Sequence, residues 1–248
     1  LAKVEPPPGM VLVPAGTYPV GEPGPDSRRV FKCPYGFYVD EHEVTIKEYL
    51  TYLAAEGAPG PVAWRADPSV PDSWRERGER ELAENPNMPM THVSFDDALA
   101  YAKWAGKRLL SQDELEAACR GPEGLRYPWG NEWQESLPNL GHSLARAGDA
   151  PADRSFCGAR DMAGNVAEWV ADPWSGPLPK PAAAEPQDAP PPPPGEPAQA
   201  ADFRTIKGLS WLGDEEGRPS GAEFGEPPAG ARLAPVAVYG DSAPRCVT

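Results

Sequence analysis

The stretch "DMAGNVAEW", Asp161 to Trp169, interleaves oxygen-bearing side chains (Asp161, Asn165, Glu168) with residues too small to obstruct them (Ala163, Gly164, Ala167). Three roles suit that spacing: a loop wrapping a metal ion, a catalytic acid site, or a tight turn feeding Trp169 into a core. A hard cation such as calcium takes roughly six to eight oxygens from carboxylates, amides and backbone carbonyls. Small residues let carbonyls turn toward one point, and a carboxylate supplies the charge.

The other reactive side chains are scattered. Cys33, Cys119, Cys157 and Cys246 form no CxxC pair, so no zinc site is expected. They leave two readings open: two disulfides, whose connectivity the sequence does not choose, or four buried thiols. His42, His92 and His142 show no HxxxH spacing. His42 and His92 stand beside strand and helix starts and read as structural; His142 is a lone histidine, a weak signal. The carboxylate pairs Asp96–Asp97, Asp113–Glu114 and Glu215–Glu216 read as helix-start charges and solvated surface rather than as an acid–base pair.

The elements that must position these groups are legible in places. The chain has 248 residues, enough to bury a real core, with 34 prolines and 25 glycines unevenly placed. Its net charge of -14 repels nucleic-acid phosphates and anionic headgroups, so neither is an expected partner. No apolar run approaches the roughly 18 residues of a membrane span. No signal peptide is recognisable, and the first residue is Leu1, so we expect that an N-terminal segment has been removed or lies outside this sequence. "GMVLVPAGTYPVG" (9–21) and "YGFYVDEHEVT" (35–45) have strand alternation. Three capping boxes announce helices: Thr45 with Glu48, closed by Gly57; Ser94 with Asp97; and Ser111 with Glu114. Ala98, Tyr101, Ala102 and Ala105 share one stripe, and Leu115, Ala118 and Cys119 another.

Between these, residues 59–89 carry charges and prolines and read as a surface excursion. After Arg120 glycines and prolines break the chain for nearly fifty residues, and loops that long need something to hold them. Eleven prolines fall between Pro173 and Pro197, including the run Pro190–Pro194, which is polyproline-II material. "FRTIKGLSWLG" returns to strand character, and "VAVYGDSAPRCVT" reads as a short closing hairpin. There is no internal repeat.

Seven motifs then stand in one order: "GMVLVPAGTYPVG", "FYVDEHEVTIKEYLTYL", "MPMTHVSFDDALAYAKWAGKRLLSQDELEAACRG", "YPWGNEW", "DMAGNVAEWV", "KGLSW" and "PRCV". In that order they resemble the formylglycine-generating enzyme/sulfatase-modifying-factor domain, over nearly the whole chain apart from 59–87 and the Pro-rich stretch. The resemblance implies an α+β, C-type lectin-like fold with little regular secondary structure: two or three helices on short twisted antiparallel strands, and long loops pinned by calcium. It implies a single domain over 1–248, with a charged insertion at about 59–87 and a Pro-rich one at about 173–200. It also implies a calcium loop in which Asp161 and Glu168 bind through side chains and Gly164 and Val166 through carbonyls. A second calcium site would start at Asn139–Leu140, with Asp149 as a further candidate ligand.

The family's copper chemistry is another matter. Copper(I) selects sulfur, and the resemblance places two copper-binding cysteines just after the motif that here reads Lys207 to Trp211. Residues 212–232 hold no cysteine. Ser210 and Trp211 remain as a candidate ligand cleft. The family's iron branch needs a histidine cluster that this chain lacks, and its ligand-displaying branch an asparagine-rich C-terminus, whereas no asparagine follows Asn165. The expected cofactor is therefore calcium, one or two ions, without copper or iron. The expected role is a non-catalytic binding or assembly module, a subunit of a larger extracytoplasmic complex (periplasmic or at the membrane surface) of a bacterium. Its protein partner would be contacted by the Pro-rich stretch 173–197. The alternative is an enzyme or modification factor with chemistry outside the known branches.

Overall fold

The computed structural model describes residues 5–21, 28–58, 60–61, 74–91, 93–132, 144–150 and 152–173, with the backbone of three short strands at 204–207, 236–237 and 241–242. Strand β1 (Met10–Val13) pairs antiparallel with β4 (Phe37–Asp40), and β2 (Gly16–Val20) with β3 (Arg29–Cys33). The Pro14–Ala15 link thus carries the chain from one ladder to the next. It does not close a hairpin, because β1 and β2 each find another partner.

All three capping boxes form. Helix α1 (Ile46–Glu56) is capped by Thr45 and ends at Gly57, whose φ of 59° is the left-handed conformation glycine adopts without strain. Its first free N–H groups, Ile46 and Lys47, donate to the carbonyls of Met88 and Pro86, so the segment before Met90 closes that helix end. Helix α2 (Trp74–Glu84) lies inside the charged stretch read as a surface excursion, where no helix was foreseen. Its sequence, "WRERGERELAE", carries too few apolar residues to show a helical stripe, so periodicity missed it. Helices α3 (Phe95–Trp104) and α4 (Gln112–Arg120) start at Ser94 and Ser111. The structure therefore has four helices among the described residues.

Strand β5 (Lys107–Arg108) joins α3 to α4, and β6 (Ala167–Pro173) follows the Asp161 loop directly. Strand β7 (Arg204–Lys207), the expected strand of the "FRTIK" stretch, pairs antiparallel with β6. Of the expected closing hairpin, the two described strands do not pair with each other. Strand β8 (Val236–Ala237) pairs parallel with β6, and β9 (Asp241–Ser242) antiparallel with β5. Each finds an edge in a distant part of the chain. One pairing is thus parallel, where only antiparallel ones were expected.

The core divides into two clusters, and strand periodicity explains the division. One gathers Val44, Ile46, Tyr49, Tyr52, Leu53, Tyr101, Leu109 and Trp169 around α1 and α3. The other gathers Val13, Val20, Phe37, Leu110, Leu115, Met162 and Val170 around α4 and the first strands. Leu109 and Leu110, like Trp169 and Val170, are neighbours sent to opposite clusters, because successive side chains of an extended chain point to opposite faces. Trp169 also donates its indole N–H to the Val93 carbonyl at 3.1 Å. The Asp161 loop sits where β6 begins, between the two clusters.

Candidate functional site

Asp161 and Asn165 are the two non-glycine residues with positive φ among the described residues, at 54° and 64°. Aspartate and asparagine tolerate this left-handed region better than other side chains. The two kinks turn residues 161–166 back on themselves; the turn delivers Trp169 to the core and buries its own carboxylates.

Four acidic side chains meet there. Glu43, Asp153, Asp161 and Glu168 are each no more than 3% exposed, and Asn165 is as deeply buried. Asp153 is the loop's anchor. Its carboxylate accepts the backbone N–H groups of Ala163 (3.1 and 3.2 Å) and Gly164 (2.8 Å). The Asp153 carbonyl also takes the Asp161 N–H at 2.9 Å. Asp161 accepts the Gly148 N–H through Oδ2. The amide of Asn165 is held on both sides by the backbone of Ala145, and its Nδ2 donates to Glu43 Oε2 at 2.9 Å. Glu43 Oε1 and Asp161 Oδ1 receive no N–H donor, and the two carboxyls bond each other instead.

The electrostatics follow from burial of like charges. Glu43 is pushed well above the usual carboxyl range, first by desolvation and then by repulsion from Asp161, Glu168 and Asp153. Asp153 is raised to about 7, again by burial first, although its backbone donors pull the other way. Asp161 is raised by burial, against the Gly148 N–H and a side-chain hydrogen bond with Glu43. No basic side chain pairs with Glu43, Asp153 or Asp161 among the described ion pairs.

Such a nest suits a hard cation. Carboxylates in a loop of small residues are the ligand type that calcium takes. Among the described residues, however, no three acidic, thiol or imidazole side chains converge as a ready-made metal centre. A set of two carboxylates and two backbone carbonyls, as expected from Asp161, Glu168, Gly164 and Val166, does not require such a trio. Val166, like the carboxylates, is buried.

Not every expected residue can be placed. Asn139, Leu140, His92, His142, Ser210, Trp211, Cys246, Glu215–Glu216 and the Pro-rich stretch 174–203 lie outside the described residues. Asp149 is exposed, unlike the carboxylates of the nest. His42 approaches the Glu43 carbonyl through Nδ1 at 2.8 Å, a structural contact as expected. Asp97 and Glu114 complete capping boxes, and Asp113 pairs with Arg29 at 2.7 Å, so these carboxylates are occupied as helix-start charges. Of the two cysteine readings, Cys33, Cys119 and Cys157 are thiols and not half-cystines, which removes the two-disulfide arrangement.

Sequence reasoning missed Glu43 and Asp153 and gave Asn165 no ligand role. The signal for Glu43 was available: in "YVDEHEV" (38–44) a glutamate occupies a position with apolar residues on either side of the run. A shallow cavity of about 230 Å³ lies elsewhere, at the β3–β4 turn, lined by Cys33, Tyr35, Arg108 and Glu114. Two of its charged groups already bind each other, Arg108 donating twice to Glu114 at 2.7 Å.

Comparison with known proteins gives this geometry its context. Residues 2–247 match the sulfatase-modifying factor enzyme 1-like domain. A formylglycine-generating enzyme from Thermomonospora curvata is 33% identical over 221 residues, covering 67% of this chain and 72% of that protein. A bovine protein named inactive C-alpha-formylglycine-generating enzyme 2 is 32% identical over 168 residues, covering 62% of this chain and 46% of its own length. This chain thus spans less than half of that relative. The solved structure of PvdO from Pseudomonas aeruginosa superposes with a TM-score of 0.60 at 21% identity, covering 94% of this chain and 93% of that one. At that identity the likeness speaks for the fold alone.

Proposed function

The chain belongs to the sulfatase-modifying factor enzyme 1-like family, and we propose that within it this is a calcium-held, non-catalytic binding module of a larger extracytoplasmic assembly. The observation that carries the non-catalytic part is residues 212–232, which follow the Lys207–Trp211 motif and hold no cysteine. Without paired thiolates near that motif there is no soft site for copper(I). The relatives show that membership alone does not decide activity, since they include an enzyme by name and a protein named inactive.

What supports the calcium part is the buried nest. Its carboxylates are buried with no basic side chain paired to Glu43, Asp153 or Asp161 among the described ion pairs, and Gly164 and Val166 belong to the same buried loop. Calcium would bind Asp161 and Glu168 by side chain, with a second ion at Asn139–Leu140. The ion's chemistry here is electrostatic: it holds the loop closed. The assembly part rests on the Pro-rich stretch 173–197, whose composition suits docking to an aromatic-lined partner groove. Among the described residues no helix is long and apolar enough to cross a membrane.

Native mass spectrometry of the protein drawn gently from its source, with and without a calcium chelator, tests the reading. A complex of fixed stoichiometry that loses one or two calcium masses on chelation is the expected result. A lone monomer that converts a cysteine-bearing sulfatase peptide would overturn it. That outcome would favour the second reading, an enzyme using the Ser210–Trp211 cleft, for which the active relative is the supporting observation.

A further inference from the structure

We propose that the open edge of β3 is a docking strand, to which an extended, acidic segment of a partner protein adds as the third strand of the β2–β3 ladder. This goes beyond the assembly reading above and depends on neither the Pro-rich stretch nor calcium.

The edge is available. Among the described residues β3 pairs with β2 alone, so every second residue of β3 turns its backbone N–H and C=O away from the ladder with no strand to meet them. Its outer side chains stand in solvent as well. Val30 is 67% exposed and Lys32 is exposed, while Phe31 and Cys33, on the other face, pack in the α4 cluster. The opposite edge, on β2, is blunted twice. Pro19 has no N–H to offer a third strand. The turn at Gly124 also packs so closely on Pro19 that a Cβ added to that glycine would lie 2.7 Å from the proline ring.

Charge selects the occupant. The chain has a net charge of -14, yet residues 28–39 hold Arg28, Arg29 and Lys32 and no acid. Arg29 is already neutralised by Asp113 at 2.7 Å, whereas Lys32 has no carboxylate among the described ion pairs. A lysine on an open edge guards it against strands in general, and a second copy of this chain would bring another Lys32 to the same place. An acid directly opposite turns that guard into an attraction, because opposite charges facing each other across two strands stabilise the pairing. The cavity of about 230 Å³ then supplies specificity. It begins on β3 itself, at Phe31, Lys32 and Cys33, and continues past the strand to Tyr35 and Phe37. An apolar side chain of the incoming strand finds a seat there, next to the acid that meets Lys32. Main-chain bonds hold such a strand and side-chain pockets choose it. The segment that fits therefore alternates acidic with apolar residues.

The test uses the full chain and an array of heptapeptides in which glutamate alternates with valine, leucine, phenylalanine or tyrosine, read by fluorescence anisotropy. A second set carries lysine in place of glutamate. A third has N-methyl groups on alternate amides, in either register, which removes strand donors and leaves charge alone. The glutamate set is expected to bind and the lysine set not, and N-methylation in one register should weaken binding by about tenfold or more. Lys32→Glu should weaken the glutamate set by about tenfold or more and admit the lysine set, with circular dichroism unchanged, while Lys32→Arg keeps binding intact. The inference is overturned if no glutamate peptide binds, if Lys32→Glu changes nothing, or if N-methylation matters in neither register. Sedimentation showing a dimer that glutamate peptides cannot dissociate would give the edge to a second copy and overturn it too. Calcium uptake is measured separately, so failure here leaves the functional reading standing.

Discussion

Asp153 offers the sharpest test of the electrostatics. Its carboxyl is buried and raised to about 7, while in the unfolded chain it titrates near the ordinary value of about 4. Between those values the folded protein holds a proton that the unfolded chain has released. Stability is therefore fully present below about pH 4 and falls as pH rises through about 7. At about 1.4 kcal/mol for each pH unit, the loss attributable to this one group is about 4 kcal/mol. Burial is nearly complete, so solvent screening takes little from that figure. Glu43 and Asp161 are raised too and act in the same direction. The assay is urea unfolding at intervals from pH 4 to pH 8, with chelator present, for the unaltered protein and for Asp153→Asn. The asparagine keeps an acceptor for the Ala163 and Gly164 N–H groups but cannot ionise. At pH 4–5 it should be somewhat the less stable of the two, and by pH 8 it should have gained about 4 kcal/mol relative to the unaltered protein. Saturating calcium should flatten the decline, because an ion stabilises the charged forms. A stability difference between the two proteins that is constant across this range would refute the reasoning, since it would mean that Asp153 is ionised in the fold as it is outside it.

Three further outcomes are expected. Trp169→Ala removes an indole from the α1–α3 cluster and strips the Val93 carbonyl of its donor, so chemical unfolding should show a loss of about 3–5 kcal/mol. Glu116→Ala leaves the Arg120 guanidinium buried without its carboxylate and the Gly21 N–H without its acceptor, a loss of about 3–5 kcal/mol by the same measurement. Glu114 behaves oppositely to Asp153: although burial alone would raise it, the Arg108 and Ser111 bonds outweigh burial and hold its carboxyl below the usual range. It therefore contributes stability above its unfolded pKa that is lost as pH falls through the lower folded value. Glu114→Gln should accordingly cost stability at pH 7 but little at pH 3, as thermal melts at the two values would show.

The three capped helices were legible in the sequence because capping is local: a serine or threonine and an acid three positions on find each other without help from the rest of the chain. So was the turn at Asp161–Glu168, whose small residues and alternating oxygens describe a loop by themselves. The α2 helix was not legible, since its charged sequence lacks the stripe by which helices announce themselves. Nor were the pairings of β8 and β9, because a two-residue strand has no register of its own and takes whatever edge the assembled fold presents. The site divides in the same way. The sequence alone determined which carboxylates the loop carries and that copper-binding thiols are absent from 212–232. Only the tertiary structure decided that Glu43 and Asp153, from two other parts of the chain, are buried against that loop. Which charges share a desolvated space depends on how separate segments pack, and that packing is what turns four ordinary acids into one strained nest.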